Sequence, residues 1–116
     1  MIELTDLNDN AKQKFFLPLD LQEKVQFKLY FMPTQSAWFF DFNYKDREFN
    51  GNKLVLGANI LRMYKNIIPF GLMVYADFHI EPFKLDDFSS GRVKLYVLEK
   101  EDVSFVEGKV FNIDEQ

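Results

Sequence analysis

Along much of this chain apolar and polar side chains alternate with a period of two, and a pleated strand places successive side chains on opposite faces. In the stretch holding the only Trp, Ala37-Trp38-Phe39-Phe40-Asp41-Phe42-Asn43-Tyr44, the residues Trp38, Phe40, Phe42 and Tyr44 share one face. Phe39 interrupts the polar side, so one end of this strand is expected to be buried on both faces. From Lys24 to Met32, Val25, Phe27, Leu29 and Phe31 point one way and Lys24, Gln26, Lys28 and Tyr30 the other. That pattern predicts a half-buried antiparallel strand. Pro33-Thr34-Gln35-Ser36 supplies the turn between the two, which makes them hairpin partners.

Other elements follow by the same reasoning. Lys14 to Leu19 reads as a first strand with Phe15, Leu17 and Leu19 on one face, and Pro18, lacking an amide donor, puts it at an edge or its end at a bulge. Asn50-Gly51 is a strong hairpin signal, after which Lys53-Leu54-Val55-Leu56 returns as a short strand. Ile60 to Tyr64 forms a single helical turn or a packed loop. Phe70 to Asp77 is nearly continuous in apolar residues, as a central strand would be. A long, partly acidic loop from Phe78 to Gly91 leads to a last strand, Arg92 to Leu98, with Val93, Leu95 and Val97 inward. Beyond Glu101, apolar residues surround Glu107-Gly108, which suggests an extra hairpin or a tail that orders only against a partner. The expectation is an all-β fold: a small antiparallel β-sandwich or partly open β-barrel with at most one short helix. It forms a single domain over 1–116, with an N-terminal arm at 1–13, a β core at 14–98 and a C-terminal hairpin or tail at 99–116.

Composition sharpens this picture. Aromatics make up 17% of the 116 residues, fourteen of them Phe, which favours pleated surfaces. The net charge is -4 with signs interspersed, so no basic stripe exists to neutralise a phosphate backbone and nucleic acid is not an expected partner. No Cys is present, which removes disulfides, thiolate metal sites and a thiol nucleophile. The N-terminus has neither the basic region nor the apolar run of a signal peptide, and no window reaches the roughly 20 apolar residues that span a bilayer.

Candidate chemistry is sparse. Asp77, His79 and Glu81 would share a face on an extended strand, but catalytic zinc needs more than one His or a Cys, so no metal or other cofactor is expected. Asp86-Asp87 are neighbours whose side chains diverge in extended backbone, unlike paired acid-base carboxylates, and read as a solvated loop or a cap. Ser89-Ser90-Gly91 lacks a free base and reads as a turn; Gly57-Ala58-Asn59 lacks the glycines and Lys of a phosphate loop. Trp38, Phe40 and Phe42 belong to the core. Tyr30, Phe39, Tyr75 and Tyr96 each lie opposite a core-facing set, which makes them candidates for a protein interface, or for cover by a second layer of the fold or by the C-terminal segment. Phe105 and Phe111 join them from the C-terminal segment. An alternative for so much Phe is an apolar ligand in a small barrel, lined by Phe27, Phe40 and Leu72.

The order and spacing of several segments resemble the baseplate plug proteins of contractile-tailed phages. The likeness is carried by an early strand, then Phe27-Lys28-Leu29-Tyr30, the Trp38-Phe39-Phe40-Asp41-Phe42 strand and Leu54-Val55-Leu56-Gly57-Ala58-Asn59-Ile60-Leu61. It continues through the Gly71-Leu72 strand ending in Asp77 and closes on Val93-Lys94-Leu95-Tyr96-Val97. Where the family carries a Leu-Gly pair before the final strand, Phe88-Ser89-Ser90-Gly91 keeps only the Gly, and the tail after Leu98 is longer than the pattern requires. The resemblance implies a non-enzymatic structural subunit of the virion, synthesised in the host cytoplasm and placed at the centre of the tail baseplate. It would contact hub proteins, the tube and copies of itself, with no membrane involved.

Overall fold

The computed structural model describes residues 1–110. Its strands are β1 (Ile2–Glu3), β2 (Lys12–Phe16), β3 (Gln26–Met32), β4 (Ala37–Tyr44), β5 (Arg47–Lys53), β6 (Gly71–Ala76) and β7 (Val93–Leu98), followed by helix α1 (Lys100–Lys109). They form two antiparallel sheets, ordered β2-β3-β4-β5 and β1-β7-β6. The inward faces of both sheets supply one buried cluster, so the fold is a small all-β sandwich and not a closed barrel.

The alternation along β3 and β4 sets the register. Phe27 pairs with Phe42, Leu29 with Phe40 and Phe31 with Trp38, so every inward aromatic of one strand meets an apolar side chain of the other. Ring contacts then run across the sheet: Phe15 to Phe27 at 5.5 Å, Phe27 to Phe40 at 5.3 Å, Phe40 to Phe42 at 6.2 Å and Phe42 to Phe49 at 4.5 Å. Each such pair adds about 0.5–1.5 kcal/mol beyond its burial. Leu72, Val74, Leu95 and Val97 face them from the second sheet. Phe27, Phe40 and Leu72 are thus packed core residues, fully buried against their neighbours. This corrects the ligand-cavity alternative: stacked rings occupy the place where a ligand would sit.

Asn50-Gly51 is not the hairpin turn. The chain reverses at Lys45-Asp46, closed by the Tyr44–Arg47 pair, with Lys45 in the left-handed region (φ 56). β5 runs straight through Asn50-Gly51, which lie opposite Asp41 alone where the register shifts. The Asp41 carboxylate accepts the Gly51 N–H at 2.7 Å. Gly51 does hold a positive φ (71), but a β-bulge uses that freedom as well as a turn does. Stacking of Phe49 on Phe42 decides between them, since a turn at Asn50-Gly51 would forfeit it.

Other expectations shift similarly. The first strand occupies Lys12–Phe16, at a sheet edge, and ends before Pro18. Leu54 to Leu56 lie beyond β5, and Arg62–Tyr64 is a single 3-10 turn. β7, not β6, is the central strand of its sheet; the outer side of β6 is occupied by a bridge between Gly57 and Val74. Ile2–Glu3 of the expected arm pairs with β7. Of the expected C-terminal hairpin or tail, Lys100–Lys109 is helical, so no hairpin turns at Glu107-Gly108; residues 111–116 lie outside those described. The first turn of α1 carries Glu101 and Asp102 and its last Lys109, which complements the helix dipole. Asp102 accepts the Glu99 N–H at 3.0 Å and pairs with the amino terminus at 2.6 Å, while Glu107 pairs with Arg62 (2.8 Å) and Lys65 (2.9 Å).

Candidate protein interface

The connection between β6 and β7 is held by its own network of hydrogen bonds. At its centre Asp87 is buried, and its carboxylate accepts the backbone N–H groups of Phe83 (2.7 Å) and Lys84 (2.8 Å) and both Nε and Nη2 of Arg92 (2.8 Å each). Burial by itself raises the Asp87 pKa. Hydrogen bonds from Arg92, Lys84 and Phe83, with the Arg92 charge, outweigh it and hold the carboxyl below its ordinary range. Arg92 is raised in turn, chiefly by its hydrogen bond to Asp87. The same guanidinium donates to the carbonyls of Ile80 (2.8 Å) and Glu81 (3.1 Å), so one side chain ties both ends of the connection. Trp38 donates its indole N–H to the Lys84 carbonyl (2.9 Å), and Phe88 packs edge-on against Trp38 at 5.0 Å. Glu81 accepts the Leu56 N–H at 2.8 Å.

This internal bonding leaves a rigid surface with apolar side chains turned outward. Phe78 is 86% exposed, and Ile80, Phe83 and Leu85 are also exposed. Phe78 and His79 both adopt left-handed backbone (φ 65 and 55), which costs about 1–2 kcal/mol per non-glycine residue. A strained, exposed Phe contributes nothing to the fold that a smaller residue would not. Such outliers concentrate where a surface is used. Beside it, Leu56, Gly57, Ala58, Met73, Tyr75 and His79 line a largely apolar groove of about 320 Å³.

The aromatic candidates read from the sequence fall on separate faces. Tyr30 and Phe39 lie together on the outer face of the β2–β5 sheet, half-buried and stacked at 6.1 Å. The Tyr30 hydroxyl donates to Asp41 at 3.0 Å, and burial together with that carboxylate raises its pKa. Tyr75 is exposed and Tyr96 half-buried on the outer face of the other sheet; Phe105 is exposed on α1; Phe111 lies outside the described residues. Asp77, His79 and Glu81 do not share a face, because Asp77–His79 turns through left-handed backbone and Glu81 caps Leu56. Among the described residues no group of three His, Asp or Glu gathers to hold a metal. Of the two readings for Asp86-Asp87, Asp86 is the exposed loop residue and Asp87 the cap, bonded to the Phe83 and Lys84 N–H groups. No strand periodicity marks Phe78, Ile80, Phe83 and Leu85 in the sequence; their density within an acidic connection is the signal available there.

A two-layer β-sandwich whose bonded loop presents exposed apolar side chains offers a surface suited to contact with other proteins. Comparison with known families agrees on the class: a structural protein of a phage tail baseplate. The family model described as "Cyanophage baseplate Pam3 plug gp18" matches residues 1–101, and the chain belongs to that family. No curated protein matches the chain. The match takes in both sheets and the loop and stops at the start of α1.

Proposed function

We propose that this chain is a plug-like, non-enzymatic subunit that contacts hub and tube proteins and copies of itself within the baseplate. On this reading it is made in the host cytoplasm and carried in the virion, and its partners are proteins, with neither nucleic acid nor membrane involved. The observation that supports it most is the exposed row Phe78, Ile80, Phe83 and Leu85 on a loop whose backbone is fixed by Asp87, Arg92 and Trp38. A preordered apolar surface loses little entropy on docking, which suits a permanent structural contact. Tyr75, with the groove beside it, extends this surface. Tyr30 with Phe39, Tyr96 and Phe105 supply further contacts on other faces, and Phe111, outside the described residues, stays a candidate from the sequence alone.

The test is complementation of a phage lacking the gene. A Phe78→Ser, Ile80→Thr, Phe83→Ser variant keeps its melting temperature within a few degrees but is missing from purified tails. Normal incorporation of that variant would overturn the loop's role.

A further inference from the structure

The outer face of the β2–β5 sheet carries a charge pattern opposite to that of the whole chain. Two cross-strand rows run over it: Lys12, Tyr30, Phe39, Lys53, and beside it Lys14, Lys28, Asp41. Lys14 and Lys28 stand directly opposite each other, a pairing that is unfavourable on an isolated sheet. Asp41, the carboxylate between them and β5, is already engaged by the Tyr30 hydroxyl and the Gly51 N–H. Among the described residues Lys12, Lys14 and Lys53 have no ion-pair partner. With Glu48, opposite Asn43, as the second acid on this face, four lysines stand against two carboxylates, so the face is net basic, with a half-buried aromatic stack at its centre.

The β6–β7 connection is its complement. There Asp77, Glu81 and Asp86 are exposed among Phe78, Ile80, Phe83 and Leu85, three acids against the exposed Lys84. Within one molecule the two surfaces cannot meet: Trp38 reaches Lys84 from the inner face of β4, whereas Phe39, next in sequence, lies on the outer face. Between two molecules they can. The geometry points to a head-to-tail contact in which the acidic, apolar loop of one copy docks on the lysine-flanked Tyr30–Phe39 face of the next. Because the two patches differ, the contact is heterologous and propagates until rotation closes a ring. Complementary charge sets orientation and the aromatic stack supplies the buried anchor.

This inference rests on the self-association reading above and names the surfaces that carry it. Its test is sedimentation equilibrium of the purified full chain at low and high salt. Wild type self-associates, more weakly at high salt as exposed charges are screened. A face variant, Lys14→Glu with Lys28→Glu, and a loop variant, Phe78→Ser with Phe83→Ser, each stay folded by circular dichroism and associate at least about tenfold more weakly. Mixed together they form a one-to-one dimer that grows no further, because each supplies the single surface the other lacks. A wild-type chain that is monomeric at low salt, or a mixture that forms no dimer, overturns the head-to-tail contact. If that same monomeric chain still enters tails, the baseplate role stands and only the self-docking fails; a chain that never enters tails removes the baseplate role itself.

Discussion

Asp87→Asn tests whether the β6–β7 connection is held from within. The substitution keeps the size of the side chain but removes the charge facing Arg92 and sets an amide NH2 against its donors. Four contacts between 2.7 and 2.8 Å depend on the carboxylate. The Asp87 side chain is 2% exposed and that of Arg92 18%, so the cation is stranded with little access to water. Removing one partner of a buried pair costs about 3–5 kcal/mol, and the residual exposure of Arg92 places this case near the lower end. For a chain of this size about 3 kcal/mol lowers Tm by roughly 10–15 °C. Urea unfolding followed by Trp38 fluorescence reads the loss directly, since the indole N–H is bonded to the same loop. The pH dependence supplies a second check. A carboxyl whose folded pKa is depressed stabilises the fold above its unfolded value of about 3.9 and loses that contribution as pH falls through the lower folded value. The gap between wild type and Asp87→Asn is therefore full at neutral pH and closes in acid. Asp86→Asn, on the exposed neighbour, changes stability by less than about 0.5 kcal/mol. A loss below about 1 kcal/mol for Asp87→Asn, or equal effects at both positions, would refute the reasoning.

Three further outcomes follow from other parts of the structure. Phe78→Gly removes a left-handed aromatic that buries almost nothing, so thermal unfolding should show unchanged or slightly higher stability, by at most about 1 kcal/mol, while entry into tails falls; a destabilised chain would contradict this. In Gly71→Ala the new Cβ would lie 2.6 Å from Oδ1 of Asn59, the acceptor for the Leu61 and Leu72 N–H groups (3.1 Å each). Displacing that amide leaves buried donors unpaired at about 1–3 kcal/mol each, a loss that chemical denaturation would report. Glu107→Ala releases Arg62 and Lys65 from α1, of which only Val106 is buried; hydrogen exchange at 100–109 should quicken while Tm falls by no more than a few degrees.

Much of the fold was legible because β3 and β4 alternate cleanly enough to fix both their existence and their pairing through Phe27, Leu29 and Trp38. What escaped the sequence was set by distant contacts. Asn50-Gly51 encodes a positive φ but not whether a turn or a bulge uses it, and the ring of Phe42 makes that choice. α1 was obscured by Glu107-Gly108, which reads as a turn but falls in the helix's last turn, although Glu101 and Asp102 followed by Val103, Val106 and Val110 carried a helical signature. Asp87 looked like its neighbour Asp86 because burial against Arg92 depends on how the loop folds back over Ile80 and Glu81. The candidate interface residues Tyr30 and Phe39 were visible as aromatics on the polar side of strands; the loop row was not, since no period marks it.

A photoreactive phenylalanine analogue placed at Phe78 and activated in intact tails tests the central claim most directly. The account predicts a cross-link to a baseplate protein, with a sister subunit captured through its β3–β4 outer face. A tail that contains the labelled chain, folded and in normal amount, yet yields no cross-link at that position would contradict it.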